Sequence, residues 1–394
     1  MTAESIVITG VGVLSPLGLD VVDFWEAALA GRVGTTELER FDTSSLSSSL
    51  GGEVRGLRRA DPDAPLVVEL ATAAARAASD DARLEGAGLA PERLGVCFGS
   101  VMATRPAVEY MATDPRAGAL ERSGEWSDPS RLARVPAAAL GAEGPNSVVA
   151  TACAAGNSAL AYGANALRCD QADAMIAGGA DELSAAMLLM FDSLRSLAPD
   201  AVRPFDRNRR GLLLAEGAAA LVMEREVDAK ARGARPYGRL LACSNRADAH
   251  HMTAPHPNGS GAVRSLRDAL QRADVDAADV DHLSAHGTGT VANDPVEAAA
   301  IRRVLGSHAD TIPVSALKSM LGHTQGAASA IEAVGCLLAI RDGVAPPIAN
   351  HFERDPACDL DLVVGGPRSA VIDIAVSTAF GFGGNIECAV FSGV

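Results

Sequence analysis

Residues 151–168 constrain this chain most: a strand-like run ends at Thr151, and a helix-period stretch with almost no bulk follows. Ala154, Ala155, Gly156, Ser158, Ala159, Ala161, Gly163 and Ala164 are all small. A helix this narrow carries few polar groups and lets other backbone approach closely, so it can sit inside a protein. His323-Thr-Gln-Gly-Ala-Ala-Ser-Ala, which leads into Ala327–Arg341, has the same character. A duplicated βαβ unit would put the two helix N-termini in corresponding positions, facing one another.

The rest of the chain alternates in the same way. Strand-like runs occur at Ile6–Val13, Leu94–Gly99, Ser147–Thr151, Ala174–Gly178, Ala218–Met223 and Arg239–Cys243, then at His282–Ala285, Ile312–Ser315, Leu362–Val364, Ile372–Ser377 and Ile386–Phe391. Helical periodicity marks Leu66–Asp81, Ala154–Arg168, Gly261–Ala273, Pro295–Leu305 and Ala327–Arg341. Alternation of this kind predicts α/β layers, and the last two strands read as a hairpin around a Gly-rich turn. The charge-rich stretch Glu226–Pro236 is the expected joint, giving an N-terminal half 1–228 and a C-terminal half 229–394. Glu37–Ala60 and Asp114–Arg134 lack periodicity and are expected as surface excursions or partner contacts.

A chain of 394 residues with 48% hydrophobic and 21% charged residues is globular and can bury a large core. Its formal charge of −15 argues against nucleic acid, and an acidic partner would need a local basic patch. The N-terminus lacks a basic region before its apolar run, which argues against a secretory signal. No apolar stretch approaches the ~20 residues of a membrane span. Seven scattered cysteines without metal-like pairing suit a reduced cytosolic protein.

Three fragments look built around one reactive atom. Cys153 opens the small-residue helix, whose N-terminal dipole is expected to lower the thiol pKa. His286-Gly-Thr-Gly-Thr290 and Lys318-Ser-Met-Leu-Gly-His323 each set an imidazole in a Gly-rich turn. Two neutral imidazoles donating N–H to a thioester carbonyl could stabilise an enolate without a metal. Of 34 basic residues only Lys230 and Lys318 are lysines, so an ammonium near His323 invites a chemical role that a guanidinium would not fill. The other six cysteines read as small buried hydrophobes. Thr9-Gly10-Val-Gly12 and Phe380-Gly-Phe-Gly-Gly-Asn385 lack the spacing of a dinucleotide site, although the latter can supply backbone N–H groups to an oxyanion. His250, His251 and His256 sit in loop-like sequence with no fourth ligand at a suitable spacing, so no metal site is expected.

With these motifs the chain resembles the β-ketoacyl-acyl-carrier-protein synthases of the thiolase-like superfamily, particularly the type II elongating enzymes. The likeness runs from Val7-Ile-Thr-Gly-Val-Gly-Val-Leu-Ser-Pro-Leu-Gly18 through Ala152-Cys-Ala-Ala-Gly156, Ala177-Gly-Gly-Ala-Asp-Glu182, Arg203-Pro-Phe-Asp206 and Asp248-Ala-His-His-Met-Thr-Ala-Pro255 to Phe380-Gly-Phe-Gly-Gly384. The resemblance implies duplicated βαβαβαββ halves in five layers, α-β-α-β-α, and a dimer. It implies that Cys153 accepts an acyl group from an acyl-carrier protein, with its own N–H and that of Phe382 as the oxyanion hole. His286 and His323 would promote decarboxylation of a malonyl thioester, with Lys318 ordering them and Glu332 paired to Lys318. Thr288 and Thr290 match positions that bind the phosphopantetheine arm, Phe382 a gating position, and Met102 and Phe191 further pocket positions. Arg203, Arg131 and Arg134 are the implied carrier contacts. No cofactor or metal is implied, because loss of CO2 drives the condensation.

The chain departs from that pattern where Ala-Asp-Pro-Asp-Ala-Pro follows Arg59, in place of a basic helix, and where Ala-Glu-Gly-Ala occupies 215–218. Cys-Ala-Ala-Gly-Asn resembles ketosynthase subunits of type II polyketide or polyene systems, so the partner is a second copy or a chain-length-factor-like homologue. A non-catalytic chain-length or scaffold subunit and a CoA-dependent thiolase-like transferase are the alternative functions. The four reactive residues argue against the first and the second histidine against the other.

Overall fold

Ten strands form one mixed sheet in which a single strand order occurs twice. They are β1 (Ile6–Leu14), β2 (Leu94–Gly99), β3 (Asn146–Val149), β4 (Ala174–Asp181), β5 (Gly217–Arg225), β6 (Gly238–Ala247), β7 (His282–Ser284), β8 (Val314–Ser315), β9 (Ile374–Gly381) and β10 (Asn385–Ser392). The first five run β3-β2-β4-β5-β1 and the last five β8-β7-β9-β10-β6, the same order in each half. β2 is parallel to β3 and β4, β7 is parallel to β8 and β9, and the remaining neighbours are antiparallel. The halves join where Ile6–Ile8 of β1 pairs with Gly238–Leu240 of β6. The computed structural model describes residues 4–60, 64–106, 109 and 126–394.

The helices are α1 (Val21–Leu29), α2 (Leu66–Ala82), α3 (Arg131–Leu140), α4 (Ala155–Arg168), α5 (Ala185–Ser193), α6 (Glu226–Ala231), α7 (Ser260–Ala273), α8 (Asn293–Leu305), α9 (Lys318–Leu321) and α10 (Ala328–Asp342). α2 and α3 cover the outer face of the first half, α7 and α8 that of the second, and α4 and α10 fill the layer between. That makes five layers. Strands covered on both faces need no alternation, and all nine residues of β1 and of β5 are buried.

Small residues allow the middle layer to close. A Cβ on Gly156 of α4 would lie 2.5 Å from Ala330 N on α10, so the first turns of the two helices meet backbone to backbone. Asn157 N–H donates to Ser329 Oγ at 3.0 Å across the same crossing. Leu160, Leu167, Ile331, Val334 and Phe391 complete the central core. Burying a side chain such as Phe391 contributes about 2–3 kcal/mol.

The five expected helices and ten of the eleven expected strands are present within a few residues of their predicted ends. Leu362–Val364 is the exception: Leu362 makes only an isolated bridge to Val314. α1, α3, α5, α6 and α9 were not foreseen. Of the expected excursion 114–134, residues 114–125 lie outside the described residues, as do 61–63 of the segment after Arg59. Glu37–Ala60 is more embedded than expected, with Gly52 N–H bonded to Leu214 O and Glu53 buried against Arg40. Glu226–Pro236 forms α6 and the turn that leads into β6.

Candidate active site

Cys153 sits in a one-turn 3-10 segment, Ala152–Ala154, immediately ahead of α4. The preceding residue, Ala152, has φ +52°, a left-handed conformation costly for alanine that turns the chain sharply between β3 and α4. The turn after β9 presses against it. A Cβ on Gly381 would lie 2.8 Å from Thr151 O and 3.2 Å from Cys153 N, so only glycine allows this approach. In consequence the N–H groups of Phe382 and of Cys153 itself reach the thiol.

Burial nevertheless dominates the electrostatics of Cys153. The residue is 8% exposed, and desolvation pushes its thiol up to about 11, against the Lys318 charge and the two N–H groups that favour thiolate. The expected lowered pKa is therefore corrected. Removal of the sulfur from water outweighs one ammonium and two N–H groups, so the resting thiol is protonated at neutral pH.

His286 and His323 line the same cavity of about 270 Å³ as Cys153, with Phe191, Thr288, Thr290, Phe380 and Phe382. The imidazoles meet edge to face with centroids 5.5 Å apart. Burial first, and then the Lys318 charge, hold both well below the ordinary histidine range, so both are neutral at pH 7. Gln325 N–H donates to His323 Nδ1 at 3.1 Å, which leaves the His323 proton on Nε2. Lys318, 1% exposed, bonds Glu332 through Nζ–Oε1 at 2.5 Å and acts on the histidines through its charge. Burial raises Glu332 to about 7 even beside this ammonium. Phe191 and Phe382 stack with centroids 5.4 Å apart at the cavity wall.

Two carboxylates that sequence reasoning did not single out shape the histidine loop. Glu297 accepts the N–H groups of His286 at 2.7 Å and Gly287 at 2.9 Å and the Thr378 hydroxyl at 2.9 Å. Asp294 accepts Gly289 N–H at 3.2 Å and Phe205 N–H at 2.7 Å. Burial pushes Glu297 up and Asp294 up to about 7. Their spacing, Asp294 in the first turn of α8 and Glu297 three residues later, soon after His286-Gly-Thr-Gly-Thr290, was the signal available.

The remaining expected site residues fall elsewhere. Met102 lines a neighbouring cavity with Met187 and Met190 rather than the one holding Cys153. Arg203 lies beside the Gly289 turn, but its guanidinium grips Asp200 at 2.8 and 2.9 Å. Arg131 stacks over Trp126 and Arg134 pairs with Asp128 at 3.3 Å, both on the outer helix α3 and outside the cavity lining. His251 and His256 turn Nδ1 toward local backbone N–H groups, and the described residues contain no group of three or more side chains able to hold a metal ion.

Comparison with known proteins bears on the whole chain. The family model for the β-ketoacyl synthase N-terminal domain matches residues 3–229, and that for the C-terminal domain matches residues 237–352. A tetracenomycin polyketide synthase ketoacyl synthase alpha subunit from Streptomyces glaucescens is 36% identical over 99% of this chain and 97% of its own. A 3-oxoacyl-[acyl-carrier-protein] synthase 2 from Coxiella burnetii is 36% identical, with both chains covered in full. Among solved structures, the ishigamide ketosynthase/chain length factor superposes with a TM-score of 0.92 at 35% identity, again covering 100% of both chains. With the duplicated five-strand order, and with Cys153 facing two neutral histidines across one cavity, the chain belongs to the β-ketoacyl synthase family.

Proposed function

We propose that the protein catalyses decarboxylative Claisen condensation between an acyl group held on Cys153 and a malonyl thioester of an acyl-carrier protein. The observation that carries this reading is the convergence of the Cys153 thiol, the Cys153 and Phe382 N–H groups, and two neutral imidazoles on one cavity.

Two half-reactions follow. In the first, sulfur attacks the acyl thioester carbonyl, the developing oxyanion is held by the two N–H groups, and the carrier thiol leaves with the proton that Cys153 gave up. In the second, the malonyl carbon–carboxylate bond breaks and CO2 departs. The electron pair left behind becomes an enolate, stabilised by N–H donation from His323 and His286. The enolate carbon attacks the acyl carbonyl, the bond to Cys153 sulfur breaks, and the thiolate is reprotonated. Neutral imidazoles suit this step because each offers an N–H without first losing a proton. Burial, helped by the charge of Lys318 that Glu332 pins, keeps the histidines neutral; Thr288 and Thr290 serve the pantetheine arm, with Phe382 and Phe191 at its inner end. The substrates ride on the carrier's phosphopantetheine, and no cofactor or metal takes part.

The relatives support a product in type II polyketide or polyene synthesis, or in fatty-acid synthesis. The partners are the acyl-carrier protein and a second subunit, either another copy or a chain-length-factor-like homologue. Arg203, Arg131 and Arg134 are retained as carrier contacts, in a cytoplasmic setting where seven thiols persist. Intact-mass analysis of the protein incubated with a panel of acyl-carrier thioesters, with and without malonyl carrier, tests the reading. An acyl adduct that disappears with release of β-ketoacyl carrier is expected. No adduct on the wild type, or an equal adduct on Cys153→Ala, overturns it; cleavage of free acetoacetyl-CoA would point to a CoA-dependent transferase.

A further inference from the structure

Glu387 lies on β10, just beyond the turn that carries Phe382, and is only 1% exposed, yet the chemistry above makes no use of it. Ser158 Oγ and Asn245 Nδ2 both bond its Oε1, the latter at 2.7 Å, and the Thr151 hydroxyl also reaches it. Thr151 Oγ1 and Ser158 Oγ are themselves 2.8 Å apart. These two hydroxyls flank Cys153, one before the 3-10 turn and one in the first turns of α4. A carboxyl group from the second half thus grips both ends of the turn that the first half presents. The strand bearing it starts where the Phe382–Gly384 turn ends. The two N–H groups facing the thiol belong to segments tied together through this one side chain.

We propose that Glu387 is a positioning residue for acyl transfer, fixing the separation of the Cys153 and Phe382 N–H donors through its bonds to Thr151 and Ser158. The inference rests on the ketosynthase reading. Its route is geometric: the side-chain charges that act on the Cys153 thiol are those of Lys318 and Asp181.

Two reactions at Cys153 separate the possibilities. Loading from an acyl-N-acetylcysteamine thioester needs both N–H donors in place, whereas alkylation by iodoacetamide needs only thiolate. Glu387→Leu is expected to lower kcat for loading about ten- to a hundredfold, leave KM within about twofold, and leave the alkylation rate within about twofold, since small displacements of a reacting geometry cost up to about a hundredfold. Glu387→Gln, which still accepts hydrogen bonds, should recover most of the loss. Loading by Glu387→Leu at the wild-type rate overturns the proposal. A parallel fall of loading and alkylation also overturns it, because that marks collapse of the turn. If Glu387→Leu does not fold, Ser158→Ala severs one of the bonds and carries the same comparison. Failure of the wild type to load any thioester sinks the ketosynthase reading before a variant is compared, and this proposal with it.

Discussion

Ahead of α4, Ala152 at φ +52° begins a 3-10 turn through Cys153 and Ala154; ahead of α10, Gln325 at φ +56° begins the same turn through Gly326 and Ala327. Each turn meets the end of a strand from the opposite half. Gly381 at the end of β9 packs on Thr151 and Cys153, and Asp181 at the end of β4 packs on Gly326. In the first case the strand ends without a side chain, and backbone N–H groups are left facing a sulfur. In the second, the Asp181 carboxylate accepts Gly326 N–H at 2.7 Å together with Val101 N–H at 2.8 Å and Met102 N–H at 3.0 Å. Duplication supplied two equivalent anion-accepting turns, and the residue at one strand position decides which stays open. The closed one carries an internal anion, a fully buried carboxylate that burial pushes up to about 6 against these donors.

This comparison can be broken at either turn. The largest effect is expected from the histidines that serve the open turn. His323→Ala and His286→Ala should lower condensation by about 10²–10³-fold, while acyl loading of Cys153 falls far less, because imidazole N–H groups act where enolate charge develops. Separate rates of adduct formation and of β-ketoacyl release would show this, and equal losses in both would make the histidines structural. Next comes the open turn itself. Gly381→Ala places a methyl group 3.2 Å from Cys153 N, and loading should fall by up to about a hundredfold while the alkylation rate is kept.

The closed turn should answer in stability rather than rate. Asp181→Ala leaves the buried Gly326 N–H and the half-buried Val101 and Met102 N–H groups without their acceptor and should cost about 3 kcal/mol in denaturant unfolding. Unchanged stability there would mean that the second turn is not held by its carboxylate. The smallest effect concerns pH. Burial sets the thiol near 11, so alkylation of the resting enzyme should keep rising about tenfold per unit through pH 9, since the reactive thiolate is still a minor species there. A plateau below pH 8 would restore the lowered pKa first expected from the helix dipole.

Much of this site was legible in the chain. Cys153, His286 and His323 sit in local sequence whose glycines and small residues declare a turn, and the α4 and α10 stretches announced their burial by their lack of bulk. Lys318 stood out by being one of two lysines, and Glu332 lies one helix turn into α10. Asp181, Glu297 and Glu387 were not legible as site residues. Each is one carboxylate among 49 acidic residues, and its meaning depends on backbone N–H groups or hydroxyls that the fold brings from elsewhere. The setting of the arginines was not legible either: that the Arg203 guanidinium is paired with Asp200 is seen only in the fold.

By itself the sequence determined the alternation of strands and helices, the doubled half and the identity of the reacting atoms, because periodicity and turn chemistry are local properties. Only the tertiary structure decided that the thiol is held protonated, that one of two equivalent turns is stoppered by Asp181, and that Glu387 reaches Ser158 across 229 positions of chain. Desolvation and long-range hydrogen bonds depend on what surrounds an atom in space, and no window of sequence contains that surrounding.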